Sequence, residues 1–248
     1  MSHKRRISVS LLLALALLVP AVPVGAATDR LPDLAMARLR GFQTQNTADG
    51  RRLLRFSAII VDVGVGPFEL AAQRSDSGSS TWSAQQVIFN DAGGSRTVAA
   101  PVQFVYSGDG HDHWHVEDLQ SYELVRADNG VKVGTGAKSG FCFFDNYEYK
   151  LTLPGAPQSA GYRRAGCGTQ ASTTLKMGLS VGWGDIYSWR LPDQYIDITG
   201  LTPGRYRLWA TADPTGWFQE SNNANNATWA DLQIEGNSVT VIRRAPNP

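Results

Sequence analysis

The chain has 248 residues, 42% of them hydrophobic and 18% charged, and a formal net charge of +1. Loss of the basic N-terminal segment would remove three basic residues and no acidic ones, leaving −2. That balance excludes nucleic acid as the main partner, and the length allows one large β domain or two small ones.

The first 26 residues read as a cleaved secretory signal. Lys4-Arg5-Arg6 is the positive region, Leu11 to Val19 the apolar core, and Val24-Gly25-Ala26 or Gly25-Ala26-Ala27 the small-residue cleavage site. The apolar run is too short for a membrane anchor and is followed by Pro20 and Pro23. No cysteine follows it, which argues against a lipoprotein; the paired arginines are compatible with a twin-arginine signal. No other segment reads as membrane-spanning. Residues 27–248 are expected to form one secreted, extracellular domain with no membrane partner after cleavage.

From there the pattern is all-β. Leu54 to Val61 is a β-branched, apolar run closed by Gly64 and Gly66-Pro67. Residues 71–100 are rich in Gly, Ser and Thr and read as a long loop. Val102 to Tyr106 alternates. The next segment, His111-Asp112-His113-Trp114-His115, holds every histidine outside the leader. Imidazole is the commonest transition-metal ligand, and three at alternate positions of an extended segment face one side. Flat geometry would set the outer two about 13 Å apart; Gly108 and Gly110 could let the run curl. A polar strand face is the alternative.

Gln120 to Arg126 places Tyr122 and Leu124 on one face. Cys142 and Cys167 are an even count in an exported chain and read as one disulfide; two buried thiols are the alternative. Residues 145–175 read as a second long loop. Arg205 to Ala212 alternates Tyr206, Leu208 and Ala210 against Arg205, Arg207 and Trp209. Thr228 to Ile234 and Ser238 to Ile242 follow. The expected fold is a single-domain β-sandwich with immunoglobulin-like C-terminal strands and long irregular loops.

Several of these pieces together resemble the catalytic domain of lysyl oxidases, from Leu31-Pro32-Asp33-Leu34 to about Ile234. Arg51-Arg52-Leu53-Leu54-Arg55-Phe56 is similar to an early strand of that family. His111-Asp112-His113-Trp114-His115, with Asp118 beyond, resembles its copper-binding segment. Ala137-Lys138-Ser139-Gly140-Phe141-Cys142 resembles the segment with its cofactor lysine. Asp185-Ile186-Tyr187 followed by Gln194-Tyr195-Ile196-Asp197-Ile198-Thr199 resembles the segment with its cofactor tyrosine. Glu220-Ser221-Asn222-Asn223-Ala224-Asn225-Asn226 resembles a segment near its C-terminus.

The resemblance implies a copper-dependent amine oxidase. His111, His113 and His115 would hold copper, and Lys138 and Tyr187 would be joined as lysine tyrosylquinone. A primary amine or protein lysine would be oxidised by O2 to an aldehyde, with hydrogen peroxide and ammonia released. Joining the two side chains needs a neutral lysine, so Lys138 should sit in a dry pocket near the metal, where desolvation and like charge disfavour the ammonium. Alone, Lys138 reads as a surface lysine and Tyr187 as a packed aromatic. Asp185 and Asp118 are the candidate bases, with Asp118 equally suited to orient a histidine. Trp183 and Trp189 read as loop packing, and the rival Tyr195 as core.

The resemblance also implies a calcium site from Asp33, the Leu34 carbonyl, Glu220, Asn222, Asn225 and Asn226, all oxygen donors. The family's aspartate is Asn222 here, which removes one charge. The alternative is an Asn-rich turn, with Asn226-Ala227-Thr228 a coincidental glycosylation sequon. The chain also departs from animal members in having one possible disulfide rather than several, which marks a compact, bacterial-type relative. Two other functions stay open at this level: a secreted copper-binding β-sandwich without catalysis, and a zinc hydrolase using the three histidines.

Overall fold

The computed structural model describes residues 26–107, 112–138 and 140–248. The expected leader up to Gly25, and His111, lie outside the described residues. Among them no helix is long and apolar enough to cross a membrane.

In chain order the strands are β1 (Asp29–Arg30), β2 (Leu34–Met36), β3 (Arg40–Asn46), β4 (Arg52–Asp62), β5 (Phe68–Gln73), β6 (Ser83–Asn90) and β7 (Ser95–Ala99). Next come β8 (Phe104–Ser107), β9 (His113–Glu117), β10 (Gln120–Arg126), β11 (Lys132–Thr135), β12 (Gly140–Phe141) and β13 (Tyr147–Glu148). A 3-10 turn, Arg164–Cys167, precedes β14 (Thr174–Leu179), β15 (Trp183–Tyr187), β16 (Tyr195–Asp197), β17 (Gly204–Ala212), β18 (Ala227–Glu235) and β19 (Ser238–Arg244). The fold is all-β, as the strand patterns predict.

Four antiparallel sheets share these strands. One carries β11-β10-β17-β18-β19 in that order, and another β1-β6-β5-β14 with β7 also on β6. A three-stranded sheet runs β12-β9-β8. The fourth is built on β4, which pairs with β2 and β15 over its second half and with β3 and β16 over its first.

Strand β4 reads as a continuous apolar run because both its faces are covered. One face gives Leu54, Phe56, Ala58 and Ile60 to the main core. The other gives Ile59 and Val61 to a smaller cluster with Ala35 and Ala37. The C-terminal sheet meets the main core through Tyr122, Leu124, Tyr206 and Leu208, on the alternation expected, and Phe56 packs edge-on against Tyr122 at 5.0 Å. The outer face carries a cross-strand row in which Asp231 accepts from both Arg207 and Arg243.

The expectation of one long loop over 71–100 is corrected. That segment contains β6 and β7, paired as a hairpin around Asp91-Ala92-Gly93-Gly94. Its alternation is masked in the sequence because inward positions include Gln86, whose amide bonds the backbone of Gln219 in both directions. Residues 145–175 are largely irregular, as expected, but held in place. The Asp145 carboxylate accepts hydrogen bonds from the amides of Gly161, Tyr162 and Ser180 and from the Ser180 hydroxyl. Tyr195 is only half-buried, with Arg51 and Arg55 against its ring; Ile196 of that strand and Ile198 just after it are the core residues, which corrects the expectation for Tyr195.

Cys142 and Cys167 form a disulfide with Cα atoms 5.9 Å apart, both ends buried. It ties the end of β12 to the 3-10 turn within the irregular loop. Closing a loop of 25 positions restricts the unfolded chain by about 3.5 kcal/mol. A Cys142→Ser/Cys167→Ser protein is therefore expected to lose about that much in chemical denaturation, and an unchanged midpoint would contradict this account.

Candidate active site

Strand β9 carries the two described histidines. His113 and His115 alternate on it, so both rings leave the same side, and both are buried. Their Nε2 atoms are 3.0 Å apart and the rings stand nearly perpendicular. Two imidazoles bound at right angles to one ion, each at about 2.0–2.1 Å, would show a nitrogen separation of about 2.9 Å. The pair therefore fits a common transition metal. Gly140 on β12 packs behind it. A Cβ there would lie 2.9 Å from the Cβ of His115, so the absence of a side chain sets that ring's position. Trp114, between the histidines, points the other way and donates to the Thr169 carbonyl at 2.9 Å.

A ring nitrogen of His113 and both bridge sulfurs lie within 4.8 Å of one another. In a disulfide these sulfurs are not thiolates, so they offer no strong ligand beside the imidazoles.

Tyr187 ends β15, and its register against β4 places it opposite Ala58, with Asp185 opposite Ile60. The period of two puts both side chains on one face. Tyr187 is buried and packs edge-on to Phe141 at 4.8 Å. Its hydroxyl donates to the Cys142 carbonyl, with the Asp185 carboxylate as its other neighbour. Burial, followed by the charge of Asp185, holds the phenol well above its usual range.

Lys138 follows β11 and is 6% exposed, in agreement with the dry environment expected of it. Its Nζ lies 5.3 Å from the centroid of the Tyr187 ring and 5.3 Å from that of Phe141. Lysine and tyrosine, 49 positions apart in the chain, thus meet in the core.

Asp185 is 1% exposed. Its Oδ1 accepts from the side-chain amide of Asn146, whose own oxygen accepts from the Ile186 amide at 2.7 Å. Its Oδ2 is buried without a hydrogen-bond partner among the described residues. Burial pushes the carboxyl up to about 7, partly offset by hydrogen bonds and by the charge of Lys138. Nothing in the sequence marked Asn146, which lies in the irregular loop. Asp118, the other candidate base, sits in the turn after β9 with φ 56° and is exposed. It does not reach the histidines' cavity, which corrects that expectation.

His113, His115, Asp185 and Tyr187 line one cavity of about 340 Å³, with Phe144 and Leu191 among its apolar walls and Arg164 also on its lining. A pocket of this size suits a small organic ligand. Trp183 packs its loop through the Pro157 carbonyl, as expected.

The oxygen donors near the C-terminus form a second cluster. Glu220 accepts from the Leu34 amide at 2.5 Å and from Asn226 at 2.9 Å, and Asp33 accepts from Asn225 at 2.8 Å. The side-chain oxygens of Asn225 and Asn226 are buried with no partner among the described residues. Burial pushes Glu220 up to about 7, helped by the charges of Asp213 and Asp33. Asn222 stands apart from the set: it is exposed and accepts from the Ala224 amide in its own turn. Asn226 and Thr228 of the sequon are both buried.

Fold and site define an all-β protein in which an imidazole pair shares a cavity wall with a tyrosine that a buried lysine approaches. The family model described as lysyl oxidase matches residues 96–244. The chain belongs to the lysyl oxidase family. It is 29% identical over 189 residues to lysyl oxidase homolog 3A of Danio rerio, covering 76% of this chain and 20% of that protein. It is 28% identical over 191 residues to lysyl oxidase homolog 3 of Homo sapiens, covering 77% and 20%. It is 32% identical over 130 residues to the protein-lysine 6-oxidase of Gallus gallus, covering 51% and 27%. The chain thus spans about a fifth to a quarter of the length of these relatives.

The environment of Tyr187 has a spectroscopic consequence. Its phenol should stay neutral in metal-free protein well beyond the usual value near 10. Alkaline absorbance titrations of wild type and Tyr187→Phe should therefore rise by the same amplitude up to about pH 11, provided the fold persists. A wild-type excess of one tyrosinate would contradict the burial argument.

Proposed function

We propose that the protein is a secreted copper- and quinone-dependent amine oxidase of the lysyl oxidase type, acting on peptidyl lysine or other primary amines. The observation that carries this reading is the approach of the Lys138 ammonium nitrogen to the Tyr187 ring. Family membership and the histidine pair support it. His113 and His115, with His111, would hold the copper, and Lys138 and Tyr187 would furnish the lysine tyrosylquinone. Copper and quinone together would supply the two-electron oxidation of the amine to aldehyde and ammonia, with water consumed and O2 reduced to hydrogen peroxide.

The chain's own residues supply the rest. The aromatic rings around Lys138 keep water from its nitrogen, and bonding to a ring carbon requires that nitrogen to be neutral. The Cys142 carbonyl and Phe141 fix the orientation of Tyr187. Asp185 is the proton acceptor we assign. Its Oδ2 takes a proton from the substrate carbon that bears the amine, and Asn146 holds the other oxygen in place. A carboxyl raised toward 7 by burial suits proton transfer near neutral pH.

His113→Ala should lose most of its bound copper by metal analysis. Lys138→Arg and Tyr187→Phe should release no peroxide from primary amines and give no phenylhydrazine band. Asp185→Asn should bind copper normally yet turn over about a hundredfold more slowly or worse. Full activity in Tyr187→Phe would refute the mechanism. Normal copper with no phenylhydrazine reaction in the wild type would favour a copper-binding protein without catalysis.

We also propose that Asp33, Leu34, Glu220, Asn225 and Asn226 bind calcium. The unpartnered amide oxygens beside two clustered carboxylates support this, since a hard cation takes oxygen ligands and offsets both costs. With asparagine at position 222 where the family has aspartate, and its oxygen engaged in its own turn, the set has one charge and one ligand fewer and should be weak. Millimolar calcium should raise the melting temperature of the wild type relative to chelator, by mass action on the folded state. Asp33→Ala should melt at one temperature in both, and a calcium-independent wild type would leave the cluster as a hydrogen-bonded turn.

A further inference from the structure

Resting on the amine-oxidase reading, we infer that Arg164 selects substrates that carry an anionic group at the end remote from the reacting amine. The cavity is chemically polarised along its depth. Tyr187, Asp185 and the two histidines are buried in it, whereas Arg164 is an exposed residue on the same lining. The half-buried apolar side chains of Phe144 and Leu191 complete the lining. An amine that reaches Tyr187 lays its stem along that apolar wall. Whatever its other end carries then meets a guanidinium.

Two features suit Arg164 to this role: the backbone that carries it is anchored, and its charge is not taken up by a carboxylate of the described residues. It begins the 3-10 turn that ends at Cys167, and Cys167 is bridged to Cys142, another residue of the cavity lining. The bridge thus anchors the turn beside the site. In addition, Arg164 forms no ion pair among the described residues, unlike Arg51, Arg96, Arg126, Arg207 and Arg243, which each face a carboxylate. Its charge is therefore open to a ligand. A carboxylate at the far end is attracted, and a second ammonium is repelled. The substrate class is an ω-amino acid, a C-terminal lysine, or a lysine side chain beside an acidic residue; diamines and polyamines are disfavoured.

The test uses three amines with the same six-carbon stem: ε-aminocaproate, n-hexylamine and hexamethylenediamine. Peroxide release by the copper-matured holoenzyme gives kcat/KM for each. In the wild type ε-aminocaproate should exceed n-hexylamine by about two- to fivefold, the size expected of one partly solvated ion pair. Hexamethylenediamine should fall below n-hexylamine. Arg164→Lys should keep the order, Arg164→Ala should flatten it, and Arg164→Glu should invert it. Raising the salt should compress the wild-type ratios toward one, through screening of an exposed charge; this arm needs no variant. Salt-independent wild-type ratios, or an order unchanged in Arg164→Glu, would overturn the inference while leaving the oxidase intact. If no amine yields peroxide, the oxidase reading fails instead. The three amines are then compared as ligands by calorimetry on wild type and Arg164→Glu. The same order and inversion in affinity would support the selectivity, and equal affinities would overturn it.

Discussion

The burial of β4 on both faces and its pairing along both edges is the constraint on which the rest of the structure depends. A strand in that position has its backbone groups taken up by neighbours and its side chains held in two separate apolar clusters. It cannot slip by one residue without sending each cluster's side chains to the wrong face. Because β15 is registered against it, the position of Tyr187 and Asp185 is inherited from a strand held on both faces and both edges. The Asp62 carboxylate closes the end of β4, accepting from the amides of Asp33, Gly64 and Phe68. Asp33 and Leu34 are thereby held at the edge of the C-terminal oxygen cluster.

The candidate active site is assembled from pieces that do not neighbour one another in the chain. The histidines come from β9, the lysine from the segment after β11, the tyrosine and aspartate from β15, and the arginine from the irregular loop. The disulfide is the joint among them. Cys142 sits on the cavity lining, its carbonyl receives the Tyr187 hydroxyl, and its partner Cys167 ends the turn that carries Arg164. One covalent link thus joins the residue whose carbonyl receives Tyr187 to the irregular loop that carries Arg164. That is the physical use of a bridge in a loop that repeats no hydrogen-bond ladder.

The site also concentrates charge where water is scarce. Asp185, Lys138 and the imidazole pair are all buried, and each is held by specific neighbours rather than by solvent. Buried polar groups of this kind cost stability unless paired. The Asp185 carboxyl carries part of that cost, and Tyr187 and Lys138 are among its neighbours.

The sequence by itself determined the strands whose neighbours all obey one period. Gln120 to Arg126 and Arg205 to Ala212 alternate cleanly, because one face meets the core and the other meets solvent. It also indicated the pairing of two cysteines and determined the concentration of histidine at one place, since these are counts and spacings. Only the tertiary structure decided the hairpin over β6 and β7, where a buried glutamine interrupts the apolar signal, and the outward placement of Tyr195. It alone brought Lys138 to Tyr187, set Asn146 behind Asp185 and put Arg164 on the cavity lining. Local patterns are written by residues a few positions apart. The meeting of residues tens of positions apart is decided by which strands share an edge and which faces share a core, and no single segment carries that information.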